Sequence, residues 1–145
     1  MKVSILYTNK SKYSKCVLET VARWVKNHAE SIDHYHNEDV DLMIIGFDDT
    51  LMDDKELLAF INSLSRKHVS NLALINCFYL NDKQASKIIK VCQENDLPLM
   101  REQYLFKINL NEMVKYRKCG RIQADVIDGA RTYVEDMINV INNYY

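Results

Sequence analysis

Apolar residues follow two patterns along this chain: short uninterrupted runs, and longer stretches with helical spacing. The runs Val3–Tyr7, Leu42–Phe47 and Leu72–Phe78 contain few polar residues. Such runs are typical of strands covered on both faces of a sheet. Between and after them, apolar residues recur every three or four positions, which predicts amphipathic helices. We expect the first helix to begin near Ser14, the second to follow the acidic loop that ends at Asp54, and the third to be capped by Asp82, with a last one over about Ala124–Asn142.

Three further elements have weaker patterns. The polar stretch after the first helix predicts only an edge strand around Ser31–Tyr35, and Leu99–Ile108 predicts a strand of mixed polarity. A short helical segment is expected at about Asn111–Lys118. Ser11 or Ser14 is the expected N-cap of the first helix, because both side chains can accept hydrogen bonds from free backbone N–H groups.

The alternation of five strands with helices predicts an α/β fold with a parallel sheet and helices on both faces. The two most apolar strands belong in the centre and the weak second strand at an edge, which the order 2-1-3-4-5 satisfies. We find no repeat or long linker, so residues 1–145 are expected to form a single domain. In this order a ligand crevice lies beyond the carboxyl ends of strands one and three. Its walls would be the loops Thr8–Ser14, Phe47–Asp54 and Phe78–Asp82.

Composition narrows the function classes. The 145 residues include 19 basic and 20 acidic side chains. The chain therefore has no excess of positive charge of the kind that nucleic-acid-binding proteins carry. With only 3 glycines, the glycine-rich phosphate-binding motifs are absent. The longest uncharged run, Val69–Asn81, is too short to span a membrane, and the polar N-terminus does not fit a signal peptide. We therefore expect a cytoplasmic protein whose widely spaced cysteines are reduced and mostly buried.

The loop after the first strand carries the strongest chemical signal. It reads Thr8-Asn9-Lys10-Ser11-Lys12-Tyr13-Ser14, with three aliphatic hydroxyls, an amide and two lysines ahead of a helix. Free N–H groups at a helix N-terminus attract anions, and hydroxyls can complete the coordination of a phosphate. One interpretation is a phosphate-binding loop; the other is a polar capping loop with surface lysines.

This loop resembles the phosphate-binding loop of flavodoxins, of the form Ser/Thr-x-x-Thr-Gly-Asn-Thr. Thr8, Ser11 and Ser14 match its hydroxyl positions, Lys10 stands where related proteins often have a basic residue, and Asp41–Phe47 is similar to the family's third strand. The resemblance extends over nearly the whole chain in element order and length. It implies a flavodoxin-like domain that binds FMN. The chain is also similar to flavodoxin-like proteins of anaerobic bacteria, including the accessory component of bilirubin reductase.

The sequence departs from the family at the cofactor site. Lys12 stands where the family has glycine, and Tyr13 where asparagine is common; glycine there lets the backbone approach phosphate closely. The tryptophan that many flavodoxins stack on the flavin is missing. Phe47, Phe78 and Tyr79 are the aromatic candidates for that contact among the crevice loops. Asp48 and the following aspartates would oppose negative charge on a reduced flavin.

These features lead to two functional hypotheses. In the first, the chain is a small redox or accessory protein with a degenerate FMN phosphate loop, an electron carrier for a partner oxidoreductase rather than an enzyme by itself. In the second, the fold has lost its cofactor, and the same loops bind a partner protein. A response-regulator receiver, which shares the strand order, needs an acidic pair after the first strand to bind magnesium. Thr8-Asn9-Lys10 stands there instead, so we reject that interpretation.

His34 and His36 alternate in an extended segment rich in acidic residues. Alternation places both imidazoles on one face, so a metal site is conceivable. An exposed polar edge explains the same pattern, and we expect no bound metal.

Overall fold

A computed structural model describes residues 1–9, 12–48, 54–108 and 124–144. The strands are β1 (Val3–Tyr7), β2 (Ala29–Ser31), β3 (Leu42–Asp48), β4 (Leu72–Phe78) and β5 (Tyr104–Lys107). The α-helices in these ranges are α1 (Lys12–Trp24), α2 (Lys55–Ser63), α3 (Lys83–Glu94) and α4 (Ala124–Tyr144). A single 3₁₀ turn, Ile32–His34, follows β2.

All strand pairs are parallel, and the sheet order is β2-β1-β3-β4-β5. This is the order of the flavodoxin-like fold, and the predicted fold class is confirmed. β3 and β4 are central and almost entirely buried. Their side chains alternate between two cores because successive residues of a strand point to opposite faces of the sheet. One core packs under α1 and α4, and the other under α2 and α3.

Three predicted boundaries were wrong. β2 covers Ala29–Ser31 rather than Ser31–Tyr35, because Ser31 caps the 3₁₀ turn by accepting a hydrogen bond from the Asp33 N–H. β5 is shorter than predicted. Just before β5, the side chain of Gln103 accepts a hydrogen bond from the Leu74 N–H. This bond takes the place of a backbone hydrogen bond between two strands. Ser14 lies inside α1, so it is not the N-cap; the other candidate, Ser11, and the helix expected at Asn111–Lys118 lie outside the described residues.

The connection from β2 to β3 contains no α-helix. β3 lies on the far side of β1 from β2, so residues 32–41 must cross β1. They do so on the side of α2 and α3, since Ile32 and Val40 belong to the core beneath those helices. A short irregular segment therefore covers this part of the sheet. In most folds of this kind, an α-helix makes the connection between parallel strands.

The cysteines do not all follow the expectation of reduced thiols. Cys16 is disulfide-bonded, whereas Cys77 and Cys92 are buried thiols that form no disulfide. Burial raises the pKa of the Cys92 thiol to about 11. None of the helices described is long and apolar enough to cross a membrane.

Candidate functional site

Buried polar side chains in the described residues are confined to one edge of the sheet. The seven of them sit where strands end or where helices begin: Thr8, Ser14, Ser31, Asp48, Asp54, Asn76 and Gln84. Burying a polar group costs free energy unless it is hydrogen-bonded, so such clustering needs a structural or functional cause. This edge is the carboxyl end of the strands, where the sequence predicts the crevice.

The start of the predicted phosphate loop is joined to β2. The Thr8 N–H donates to the Gly46 carbonyl at 3.3 Å, which extends the pairing of β1 with β3. The Asn9 amide oxygen accepts from the Ser31 hydroxyl at 2.6 Å, and its NH₂ group donates to the Asp33 carboxylate. Asn9 therefore uses both of its polar atoms within the protein, and it holds a carboxylate beside the loop.

The end of the loop faces the core. Ser14 is buried, and its hydroxyl contacts the thiol of Cys77 at 3.4 Å. Cys77 is the register partner of Asp48, the last residue of β3 and also buried. The Ser14 hydroxyl and the Cys77 thiol thus contact each other beneath the first turn of α1, and Asp48 is the neighbour of Cys77 on the adjacent strand. The sequence predicts Ser14 and Asp48 as site residues, but it gives no sign that Cys77 lies beside them.

The two residues that depart most from the flavodoxin pattern have different surroundings. Tyr13 is 2% exposed and packs against Phe106, with ring centroids 6.5 Å apart. Its ring thus fills core space under α1. Lys12, the first residue of α1, is exposed. An ammonium group at this position adds positive charge at the end of the helix that already favours anions.

The three candidate aromatic residues differ in exposure. Phe47 is fully enclosed in the core beneath α2 and α3, so its ring presents no face to the crevice. Phe78 and Tyr79, at the end of β4, are half-buried. Both rings therefore remain partly accessible to a ligand at this edge. Leu80 follows them and is 69% exposed.

Two buried amides were missed by sequence reasoning. Asn76, in β4, donates to the Phe47 carbonyl at 3.1 Å, but its Oδ1 atom has no hydrogen-bond partner. Gln84, in the first turn of α3, has an unpartnered Oε1 atom. Unsatisfied buried oxygens are rare and call for an explanation such as a bound water or ligand. An amide inside an otherwise apolar strand, Leu72–Phe78, is the sequence signal that could have found Asn76.

Several predicted site features cannot be placed. Lys10 and Ser11 in the first loop, and Asp49 and Asp53 in the second, lie outside the described residues. In the described ranges, no group of three or more His, Cys, Asp or Glu side chains is arranged to hold a metal ion. His34 and His36 are both exposed.

The chain is similar to solved structures but to no family model or curated protein. Among solved structures, the chain is similar to a flavodoxin from the domain Archaea, with a TM-score of 0.49 and 14% identity. The match covers 91% of this chain and 98% of that chain. The narrower similarity to the bilirubin reductase accessory component finds no support here. The fold assignment rests on the observed strand order and parallel pairing.

Proposed function

We propose that this chain is a small electron-transfer protein that binds FMN at the carboxyl edge of its sheet. The supporting observation is the confinement of buried polar residues to that edge, together with the unpartnered oxygens of Asn76 and Gln84. A ligand with N–H donors would satisfy such oxygens, and a flavin ring carries one. Half-buried Phe78 and Tyr79 offer apolar surface for the ring at the end of β4.

FMN supplies one- and two-electron chemistry when it is bound. The chain's own part would be to bind and orient the group and to set the electrostatic potential around it. Lys12 adds positive charge near the expected phosphate, beside the N-terminus of α1. Asp48 places a carboxylate at the end of β3 and opposes the accumulation of negative charge in the crevice. Both residues would therefore influence the reduction potential.

A cofactor-free binding module is the second candidate, and the hydrogen bonds of the first loop favour it. Asn9 is bonded to Ser31 and Asp33, and the Ser14 hydroxyl contacts Cys77. These two side chains of the predicted phosphate loop are therefore occupied within the protein. In this alternative the crevice loops would contact a partner oxidoreductase in the cytoplasm without any bound flavin.

An absorption spectrum tests the proposal directly. The purified protein is measured as isolated, and again after incubation with FMN and desalting. We expect flavin absorbance at about one FMN per chain, together with quenching of FMN fluorescence on titration. A colourless protein that leaves FMN fluorescence unchanged would contradict the proposal and favour the binding module.

Gln84 supplies a sharper test of the site. Replacing it with leucine removes the unpartnered oxygen at similar volume, so FMN affinity should fall while the free energy of unfolding is preserved or increased. Gln93→Leu, at an exposed position of the same helix, is the matched control and should leave affinity unchanged. Equal affinities for the two variants would place the flavin elsewhere.

A further inference from the structure

A second cleft lies on the opposite side of β1 from the central strands. It is located where residues 32–41 cross the sheet without a helix, next to β2, which pairs with only the last part of β1. The cleft has a volume of about 280 Å³ and is lined by described residues throughout. This volume is close to the lower limit for small-molecule sites, roughly 300 Å³.

The cleft has an apolar floor and a polar rim. Leu6 and Val40, both buried, form part of the floor. Tyr35 forms one wall; its ring packs edge-on against Phe60, with centroids 5.9 Å apart, and its hydroxyl donates to the Glu38 carbonyl at 2.8 Å. These contacts hold the wall in place, because the side chain is fixed at both the ring and the hydroxyl.

The rim is acidic. Glu30 and Glu38 contribute carboxylates, and the cation among the lining residues is Lys2. Glu30 also bonds to His28, from Oε1 to Nε2 at 3.0 Å, and His34 is the other imidazole of the rim. Residues 28–41 as a whole contain five acidic residues and no lysine or arginine, in a chain whose net charge is only −1.

The acidic residues of this segment affect the pKa of Tyr35. Burial raises the pKa of the Tyr35 hydroxyl, and the carboxylates of Glu38 and Asp39 raise it further. The Glu38 carboxylate is stabilised in its charged form by backbone N–H groups, chiefly that of His36, which lower its pKa. Glu38 therefore keeps its negative charge at neutral pH.

We propose that this cleft binds a small organic cation, a protonated primary amine with a short apolar body. The rim carboxylates Glu30 and Glu38 would hold the ammonium group, and the apolar body would contact Leu6, Val40 and the Tyr35 ring. Charge-assisted hydrogen bonds to carboxylates are stronger than neutral ones, and an aromatic wall adds attraction for a cation. This site is separate from the crevice at the carboxyl edge and does not depend on FMN.

The test uses 2-phenylethylamine as the probe and 2-phenylethanol as its neutral counterpart of similar size. Backbone amide shifts are followed by two-dimensional NMR during titration of the full chain. We expect the amine to shift amides of β1 and of residues 28–40, and the alcohol to bind at least about tenfold more weakly, as loss of a charge-assisted contact predicts.

Three variants distinguish amine binding in this cleft from nonspecific attraction of the amine to acidic residues. Glu38→Gln should weaken amine binding by about three- to tenfold, and Lys2→Gln should strengthen it by removing the opposing cation. Asp128→Asn, an exposed acid on α4, changes net charge equally and should leave binding within about twofold. Shifts at another surface, no binding at millimolar amine, equal binding of the alcohol, or equal weakening by Glu38→Gln and Asp128→Asn would each overturn the proposal.

Discussion

A Cβ atom added at Gly46 would lie 2.6 Å from Leu18 Cδ1 and 2.8 Å from Leu18 Cγ. Gly46 is in the middle of β3, and Leu18 is a fully buried residue of α1. The helix therefore packs directly on the strand backbone at this point. Because the crevice loop leads from β1 into α1, packing α1 on β3 also fixes the end of this loop relative to β3.

Gly46→Ala should destabilise the protein. The new methyl group must displace Leu18 from a fully packed core, and overpacking of this kind costs about 1–3 kcal/mol. Urea unfolding measures the loss. The contact also predicts non-additivity: Leu18→Ala costs about 2–5 kcal/mol by itself, but Gly46→Ala should cost much less in that background. Additive losses would contradict the direct contact.

Lys26→Gly should stabilise the protein by about 0.5–1 kcal/mol. Lys26 lies two residues beyond the end of α1 with φ of 56°, and the Asn27 and Lys26 N–H groups donate to the Ala22 and Arg23 carbonyls, respectively. This is a Schellman ending, which favours glycine because a Cβ atom strains the left-handed conformation. Thermal or urea unfolding tests it. Lys26→Ala, which keeps the Cβ atom, is the control and should give no such gain.

Stability should fall in alkaline solution through Cys92. Its folded pKa, about 11, exceeds the ordinary 9.0, so the folded chain holds the thiol proton more tightly than the unfolded chain. The contribution is complete below pH 9 and is lost as pH rises through 11, at up to about 1.4 kcal/mol per pH unit. Urea unfolding between pH 8 and 10.5 should show a shallower decline for Cys92→Ala than for the wild type. Parallel declines would refute the assignment.

Asp33→Asn should strengthen FMN binding, if FMN binds at the predicted loop. Asp33 accepts a hydrogen bond from Asn9 and places a negative charge beside the expected phosphate. Removing one exposed charge near an anion should raise affinity about two- to threefold at low salt. The gain should shrink in 1 M salt, where exposed charges are screened within about 3 Å. A gain that persists in high salt would have another cause.

Ser11→Asp should have the opposite effect. A carboxylate in the predicted phosphate loop should weaken FMN binding at least tenfold, which corresponds to about 1.4 kcal/mol. Fluorescence titration of the variant measures the change. Unchanged affinity would show that any bound FMN uses a different site.

Sequence patterns located the strands of the central sheet better than its edges. β1 and β4 coincide with the predicted runs, and β3 differs only by the addition of Asp48. Continuous apolar runs mark strands buried on both faces, so the central strands are recognisable. β2 and β5 are edge strands with mixed polarity, and hydrogen bonds of Ser31 and Gln103 determine where each ends or begins. The Ser31 bond is a local cap to Asp33, and the Gln103 bond reaches Leu74, 29 positions away; neither leaves a periodic pattern in the sequence.

For the candidate site, too, some features could be predicted from the sequence and others could not. The alternation of strands and helices was enough to predict the strand order, which the structure confirms, whereas the ligand crevice at the carboxyl edge stays a prediction. Only the tertiary structure shows that Phe47 is enclosed, that Asn9 is bonded to Asp33, and that Asn76 and Gln84 carry unpartnered oxygens. The reason is physical. Hydrophobic periodicity records which face of each element is buried, whereas hydrogen-bond partners and exposure are decided by how the elements pack together.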